Sequence, residues 1–249
     1  HVKRHSFPTR RSSDLLVPDT SLTGALPQLP PLGPYVGHAY DMVVLGDVVL
    51  ASTGVGVSTI LCSGGEVPGR LHARRLEDLA PLATSTAPSC LTVLAADGPR
   101  ALGVFVDGPT FGLVHVTPSL AITRLGRLDT RTTTAAGEPP LARAACERPI
   151  DVVLDDERIF VVHERLPHCG QAGTTVHVLD RQTYAARARY DLPLVTPWRV
   201  VLDGARLLIA QATEPTVYVY APDSLASRGR LELLPDLARN DFVLADLVV

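Results

Sequence analysis

The chain's 249 residues are 46% hydrophobic and 20% charged, with a formal net charge of −3 at pH 7. That balance supports a folded core and gives nucleic acid or an anionic membrane surface no electrostatic hold. No apolar run approaches the ~20 residues of a membrane-crossing helix, so no transmembrane segment is expected.

Residues 1–15 stand apart. Lys3, Arg4, Arg10 and Arg11 against Asp14 give them a net +3, so that the −3 of the whole chain becomes −6 for the rest. They lack the apolar stretch of a targeting peptide. The run His5-Ser-Phe-Pro-Thr-Arg-Arg-Ser-Ser-Asp-Leu15 resembles the translation of a sequencing-adapter oligonucleotide fused in frame. A non-native leader is therefore expected, with the natural N-terminus and any export signal out of view. Residues 16–39 carry Pro18, Pro27, Pro30, Pro31 and Pro34. Proline continues neither a helix nor a ladder, so this stretch reads as an extended linker.

From residue 40 the pattern changes to short β-type runs divided by turns. Residues 40–53 give two strands turning at Gly46-Asp47, and a third run begins at Leu71; together they outline a unit over about 40–85. Between them, Gly54-Val-Gly56 lacks the helix and acidic residue that complete a phosphate-binding fingerprint. A second unit, about 89–128, turns at Asp97-Gly98, Asp107-Gly108 and Thr117-Pro118. After a polar connection, two near-copies follow at about 150–191 and 198–234, and residues 241–249 open another.

A Val-Leu pair recurs at Val44-Leu45, Val93-Leu94, Val153-Leu154, Val201-Leu202 and Val243-Leu244. Its spacing is close to the ~40–50 residues of a propeller blade. Three third runs align without gaps, from Leu71 to Leu79, Val176 to Tyr184 and Val217 to Leu225. Fourth runs alternate: Ala186, Ala188 and Tyr190 against Arg187 and Arg189, then Leu231 and Leu233 against Arg230 and Glu232, as in half-buried outer strands. The expected fold is all-β: a β-propeller of four-stranded antiparallel blades, about four of them visible, in an incomplete ring. Leu45, Leu94, Leu154 and Leu202 should each lie in the innermost strand. A β-sandwich is the competing arrangement.

Asp155, Val176-His-Val178, Asp180 and Thr183, and again Asp203, Val217-Tyr-Val219 and Ser224, follow the run Asp, apolar strand, loop, Val-x-Val, then Asp-x-x-Thr/Ser. This resembles the repeats of the YVTN and quinoprotein-amine-dehydrogenase-like propellers. The Tyr-Val-Ala-Asn core is absent, and Phe160-Val-Val162 and Leu208-Ile-Ala210 take its place. Trp198 is followed by Arg199 rather than Asp, which disfavours WD-type repeats. The resemblance implies a fold shared by binding scaffolds, lactonases and dehydrogenase subunits, and fold alone does not choose among them.

In this architecture the loops between blades, and those between second and third strands, emerge around one mouth of the central channel. That places Asp107, His163, Glu164, His168, Trp198, Arg199, Gln211 and Glu214 there as a candidate ligand-binding face. The densest cluster is His163-Glu-Arg-Leu-Pro-His168-Cys169, able in principle to supply a metal ligand or general base. It matches no fixed ligand spacing, so an exposed polar loop is the favoured reading and neither metal nor cofactor is expected. Arg199 beside Trp198 could clamp a carboxylate. His38, His72, His115 and His177 lie in or beside strands and read as structural.

Cys62, Cys90, Cys146 and Cys169 all map to the loops of that same face. Two disulfides, Cys146–Cys169 and Cys62–Cys90, are one arrangement, implying an oxidising, extracytoplasmic compartment. Four separate thiols are the other. The functional expectation is a non-catalytic binding or scaffold protein whose ligand or protein partner is not identified. The alternative is a propeller enzyme of the lactonase or amine-dehydrogenase-subunit kind, sited around His163 to Cys169. Convergence of His163, His168 and a carboxylate in a pocket would favour the enzyme.

Overall fold

Turn chemistry shapes the first hairpin of each repeat. Gly46, Gly98 and Gly204 adopt φ of +61°, +60° and +52° at the tips of three of them, a region that suits glycine. The remaining hairpin turns without glycine: Asp155 Oδ1 accepts the N–H groups of Glu157 and Arg158 at 2.9 and 2.6 Å.

The structure is a computed structural model describing residues 38–54, 69–87, 91–107, 110–128, 147–165 and 172–233, all within one unit, Gly37–Val249. Sixteen strands are described. Blade 1 comprises β1 (His38–Leu45), β2 (Val48–Gly54), β3 (Gly69–Arg75) and β4 (Pro81–Ala87). Blade 2 comprises β5 (Leu91–Asp97), β6 (Arg100–Asp107), β7 (Thr110–Val116) and β8 (Ile122–Leu128). Blade 3 comprises β9 (Glu147–Leu154), β10 (Arg158–Arg165), β11 (Gly173–Asp180) and β12 (Ala186–Leu192). Blade 4 comprises β13 (Pro197–Asp203), β14 (Arg206–Gln211), β15 (Thr216–Tyr220) and β16 (Ser227–Glu232). Each blade is a sheet with its strands in sequence order.

The first strands pack in succession, β1 beside β5, β5 beside β9 and β9 beside β13. The blades therefore fan about a shared axis with Leu45, Leu94, Leu154 and Leu202 in the innermost strands, and the ring is not closed among the described residues. The seams are apolar because side chains of adjacent blades interdigitate. Leu50 and Leu71 meet Leu91, Phe105 and Val114 in one seam. Leu102, Val104 and Phe111 meet Val152, Ile159 and Val161 in the next, and Phe160, Val162 and Val176 meet Val200, Leu207 and Ile209 in the third. Each fully buried side chain of this kind contributes ~1.5–3 kcal/mol.

Pairing register corrects the repeat read from the Val-Leu pairs. Leu154 faces Ile159 and Leu202 faces Leu207 at one level of their hairpins. The residues at that level in the first two blades are Val44 and Ala96, facing Val49 and Ala101. The pair marks the right strand on the wrong rung, because Val and Leu suit every position of a sheet buried on both faces. The gapless third-strand alignment is matched in the backbone: Leu79, Tyr184 and Leu225 all take positive φ (55°, 58° and 48°), as does Leu120 in blade 2 (64°). The fourth strands are exposed, but β16 differs from its expected half-burial. It is exposed along its length, with Leu231 52% accessible, at the outer edge of the last described blade.

Candidate functional site

Every innermost strand carries the same irregularity. Counting back from the hairpin, Asp41, Val93, Asp151 and Arg199 occupy one level, paired with Ser52, Val104, Val162 and Ala210. The strand register skips the residue before each, Tyr40, Thr92, Ile150 or Trp198, and resumes one residue earlier. These are four β-bulges at one level, a device that re-aims side chains. All four bulged residues line a single cavity of about 190 Å³, together with Arg148, Pro149 and Arg199. Two aromatic rings, apolar walls and two guanidinium groups thus converge at the start of the innermost strands.

The charges around this mouth are arranged rather than scattered. Arg148 Nη2 donates to Glu164 Oε2 at 2.6 Å, which leaves the guanidinium on the cavity wall. Asp151, one residue past its bulge, is buried; burial raises its carboxyl to about 6, against the N–H groups of Val200 and Val152 and the charge of Arg199, which pull it down. Asp41, at the same level of β1, repels it and adds to the rise.

The sequence-derived candidates divide. Trp198 and Arg199 line the cavity. Glu164 reaches it only through Arg148. Gln211 is buried and structural: its Oε1 accepts the N–H groups of Val195 and Thr196 at 3.1 and 3.3 Å, and its Nε2 donates to Glu214 Oε2 at 3.0 Å. Glu214 also accepts from the Tyr218 hydroxyl at 3.3 Å. His168, the side chain of Asp107, and Cys62, Cys90, Cys146 and Cys169 lie outside the described residues. Tyr40, Thr92, Ile150 and Arg148 were not anticipated, since a bulge leaves no compositional trace.

His163 is displaced from its expected setting. The apolar run of β10 continues through it to Arg165, so it belongs to a strand and is fully buried. It faces blade 2, where the Phe111 ring meets it edge-on at 4.6 Å. Two-residue steps bring neighbours to the same face: His177, opposite Val161, and Glu147, opposite Arg165. The two imidazoles are 5.1 Å apart, and His163 Nδ1 lies 3.6 Å from Glu147 Oε2. Ligand atoms of Glu147, His163 and His177 all lie within 4.8 Å of one another. Neither nitrogen of His163 and not Nε2 of His177 makes a hydrogen bond. Burial, then the neighbouring His177 and Arg189, hold His163 well below its ordinary 6.5. Burial and Arg189 bring His177 to about 4, with Asp191 opposing. Of the histidines read as structural, His115 pairs with Asp97 at 2.8 Å and His72 bonds Thr53 and Thr84 at 3.1 and 3.3 Å, whereas His177 joins this cluster.

No described helix is long and apolar enough to cross a membrane. No family model and no curated protein sequence matches the chain. Solved structures do resemble it. One is a protein of unknown function from Bacteroides caccae, with TM-score 0.51 and 12% identity over 79% of this chain and 61% of that one. Another is a subtype N10 neuraminidase-like protein of A/little yellow-shouldered bat/Guatemala/060/2010, with TM-score 0.50 and 11% identity over 80% and 59%. Myxococcus xanthus glutaminyl cyclase also aligns, with TM-score 0.44 and 14% identity over 79% and 71%. The chain spans about three-fifths of the first two. At such identities the likeness is one of fold alone, and the fold of this chain is the β-propeller.

Proposed function

We propose that this chain is a binding protein of the propeller fold, taking a small carboxylate-bearing ligand at the mouth of its axis. The carrying observation is the fourfold bulge, which turns Tyr40, Thr92, Ile150 and Trp198 into one cavity beside Arg148 and Arg199. Apolar walls with a few convergent polar groups are the usual make-up of a small-molecule site. Guanidinium groups favour carboxylates, which they can grip through two parallel hydrogen bonds. At about 190 Å³ the cavity is smaller than the ~300–1,000 Å³ of drug-sized sites, which favours a compact acid. Binding is preferred over catalysis because His163, the residue on which the enzyme reading leaned, is buried between blades and does not line this cavity.

Trp198 is the chain's single tryptophan, so its fluorescence reports on this mouth directly. Titration with benzoate and succinate is expected to change that emission saturably, and Arg148→Met and Arg199→Met are expected to abolish the response. A flat titration with both acids would remove the proposal.

The narrower kinship with YVTN-like repeats belongs to the same reading. Its support is that Asp180 Oδ1 accepts the N–H groups of Gln182 and Thr183 and the Thr183 hydroxyl, so the Asp-x-x-Thr of the motif builds its turn. An extracytoplasmic location with two disulfides is also proposed. Thiol titration of the denatured, unreduced protein is then expected to find no free cysteine.

A further inference from the structure

We propose that Glu147, His163 and His177 form a zinc-class divalent metal site on the face of blade 3 that packs against blade 2. Two imidazoles at least nine-tenths buried leave three ring nitrogens without a hydrogen bond, and buried polar atoms of a native protein ordinarily have partners. A shared cation supplies one. The spacing suits it: the 3.6 Å from His163 Nδ1 to Glu147 Oε2 is too long for a hydrogen bond. It is close to the edge, ~3.3–3.6 Å, of a tetrahedron with metal–ligand bonds of ~2.0–2.2 Å.

The chemistry of the set agrees. Two imidazoles and one carboxylate fit zinc, cobalt or nickel better than calcium or magnesium, which take oxygen ligands. Metal-binding histidines must be neutral, and burial already holds both of these neutral. Arg189 Nη2 lies 3.4 Å from Glu147 Oε1 and 3.4 Å from Asp191 Oδ1. It can thus orient the carboxylate from behind, leaving Oε2 toward the imidazoles, as outer-shell partners of metal ligands do. Its positive charge opposes a cation, but Glu147 and Asp191 offset it. The three ligands come from β9, β10 and β11, so an ion would staple three adjacent strands, with Phe111 as its lid. Three protein ligands leave one position for water. Glu147, with 12% of its side chain accessible, marks the route in.

The test uses the full chain, stripped with chelator and titrated with zinc and, separately, cobalt. One zinc per chain, a rise in melting temperature with added zinc, and the visible absorption of four-coordinate cobalt are expected. His163→Gln and His177→Gln are expected to lose this site. Glu147→Gln, at the rim of the seam, should fold regardless and weaken zinc at least about tenfold. His72→Gln should bind as the parent does. If the folded parent takes up no zinc, or if Glu147→Gln and whichever histidine variants fold bind zinc undiminished, the site does not exist.

Discussion

Asp151 Oδ2 accepts the backbone N–H of Val200 at 2.9 Å, across a blade seam and 49 residues along the chain. Its other oxygen accepts the N–H of Val152 at 2.9 Å. Asp41 repeats the arrangement two seams away, between blades 1 and 2, with Leu94 and Met42, both at 2.8 Å. An innermost strand has one edge bonded to its own blade, and these carboxylates satisfy a donor on the edge that faces the axis. Val93 stands at this level in blade 2, and that blade is tied to the next at the opposite end, where Asp97 pairs with Arg181 at 2.5 Å. Asp151→Ala strands two donors, and we expect it to cost about 2–4 kcal/mol. Asp41→Ala, at a half-buried position, should cost less. Chemical denaturation of the two variants checks both the size and the order.

Stability should carry a pH signature from the same group. Burial raises the Asp151 carboxyl from 3.8 to about 6, so between those values the native state holds a proton that the unfolded chain has released. The contribution of this group is therefore fully present below about pH 4 and is lost as pH rises to about 6, by about 3 kcal/mol. Asp151→Asn cannot ionise, and its stability relative to the parent is expected to improve by that order across the window. A parent-to-variant difference that stays level from pH 4 to 6 would contradict the assignment.

Leu79 and Leu225 share a left-handed backbone, with φ of 55° and 48°, but not a setting. Leu79 is 46% exposed and Leu225 5%. Replacing Leu79 by Gly removes a conformational cost of ~1–2 kcal/mol at the expense of a more flexible unfolded chain, worth ~0.4–1 kcal/mol. Leu79→Gly should be neutral to mildly stabilising. Leu225→Gly forfeits in addition ~1.5–3 kcal/mol of apolar burial and should destabilise. Thermal melts that move the same way for both would show that burial is not what separates them.

A Cβ on Gly112 would lie 2.3 Å from the Cε1 and Cζ atoms of Phe105, a ring that is itself buried. Gly112→Ala is expected to cost about 1–3 kcal/mol by overpacking. Adding Phe105→Leu should return part of that loss, and a double variant whose losses simply add would show that the two do not meet.

Much of this architecture is written in local chemistry. Gly46, Gly98 and Gly204 announce their hairpins, and the stretches ending at Leu79, Tyr184 and Leu225 announce a shared turn, because each rests on interactions within a few residues. What is decided at a distance was harder to read. A bulge at Tyr40, Thr92, Ile150 or Trp198 is set by pairing with a strand about a dozen residues away, and any residue type can occupy it. Glu147 fell in what read as a polar connection, yet it is the first residue of β9. His163 looked like loop because charged and polar residues follow it. The alternation of Val161, His163 and Arg165 on one face of β10 was the available clue, and it became informative only once His177 and Glu147 were known to share that face.

The bulged residues are skipped by the register of their hairpins. Phenol, hydroxyl, branched alkyl and indole occupy equivalent places here with the flanking pairs intact. Chemistry at the rim can therefore drift while the scaffold stays constant, and a library varied at only those four codons would sample new recognition surfaces without touching a single rung.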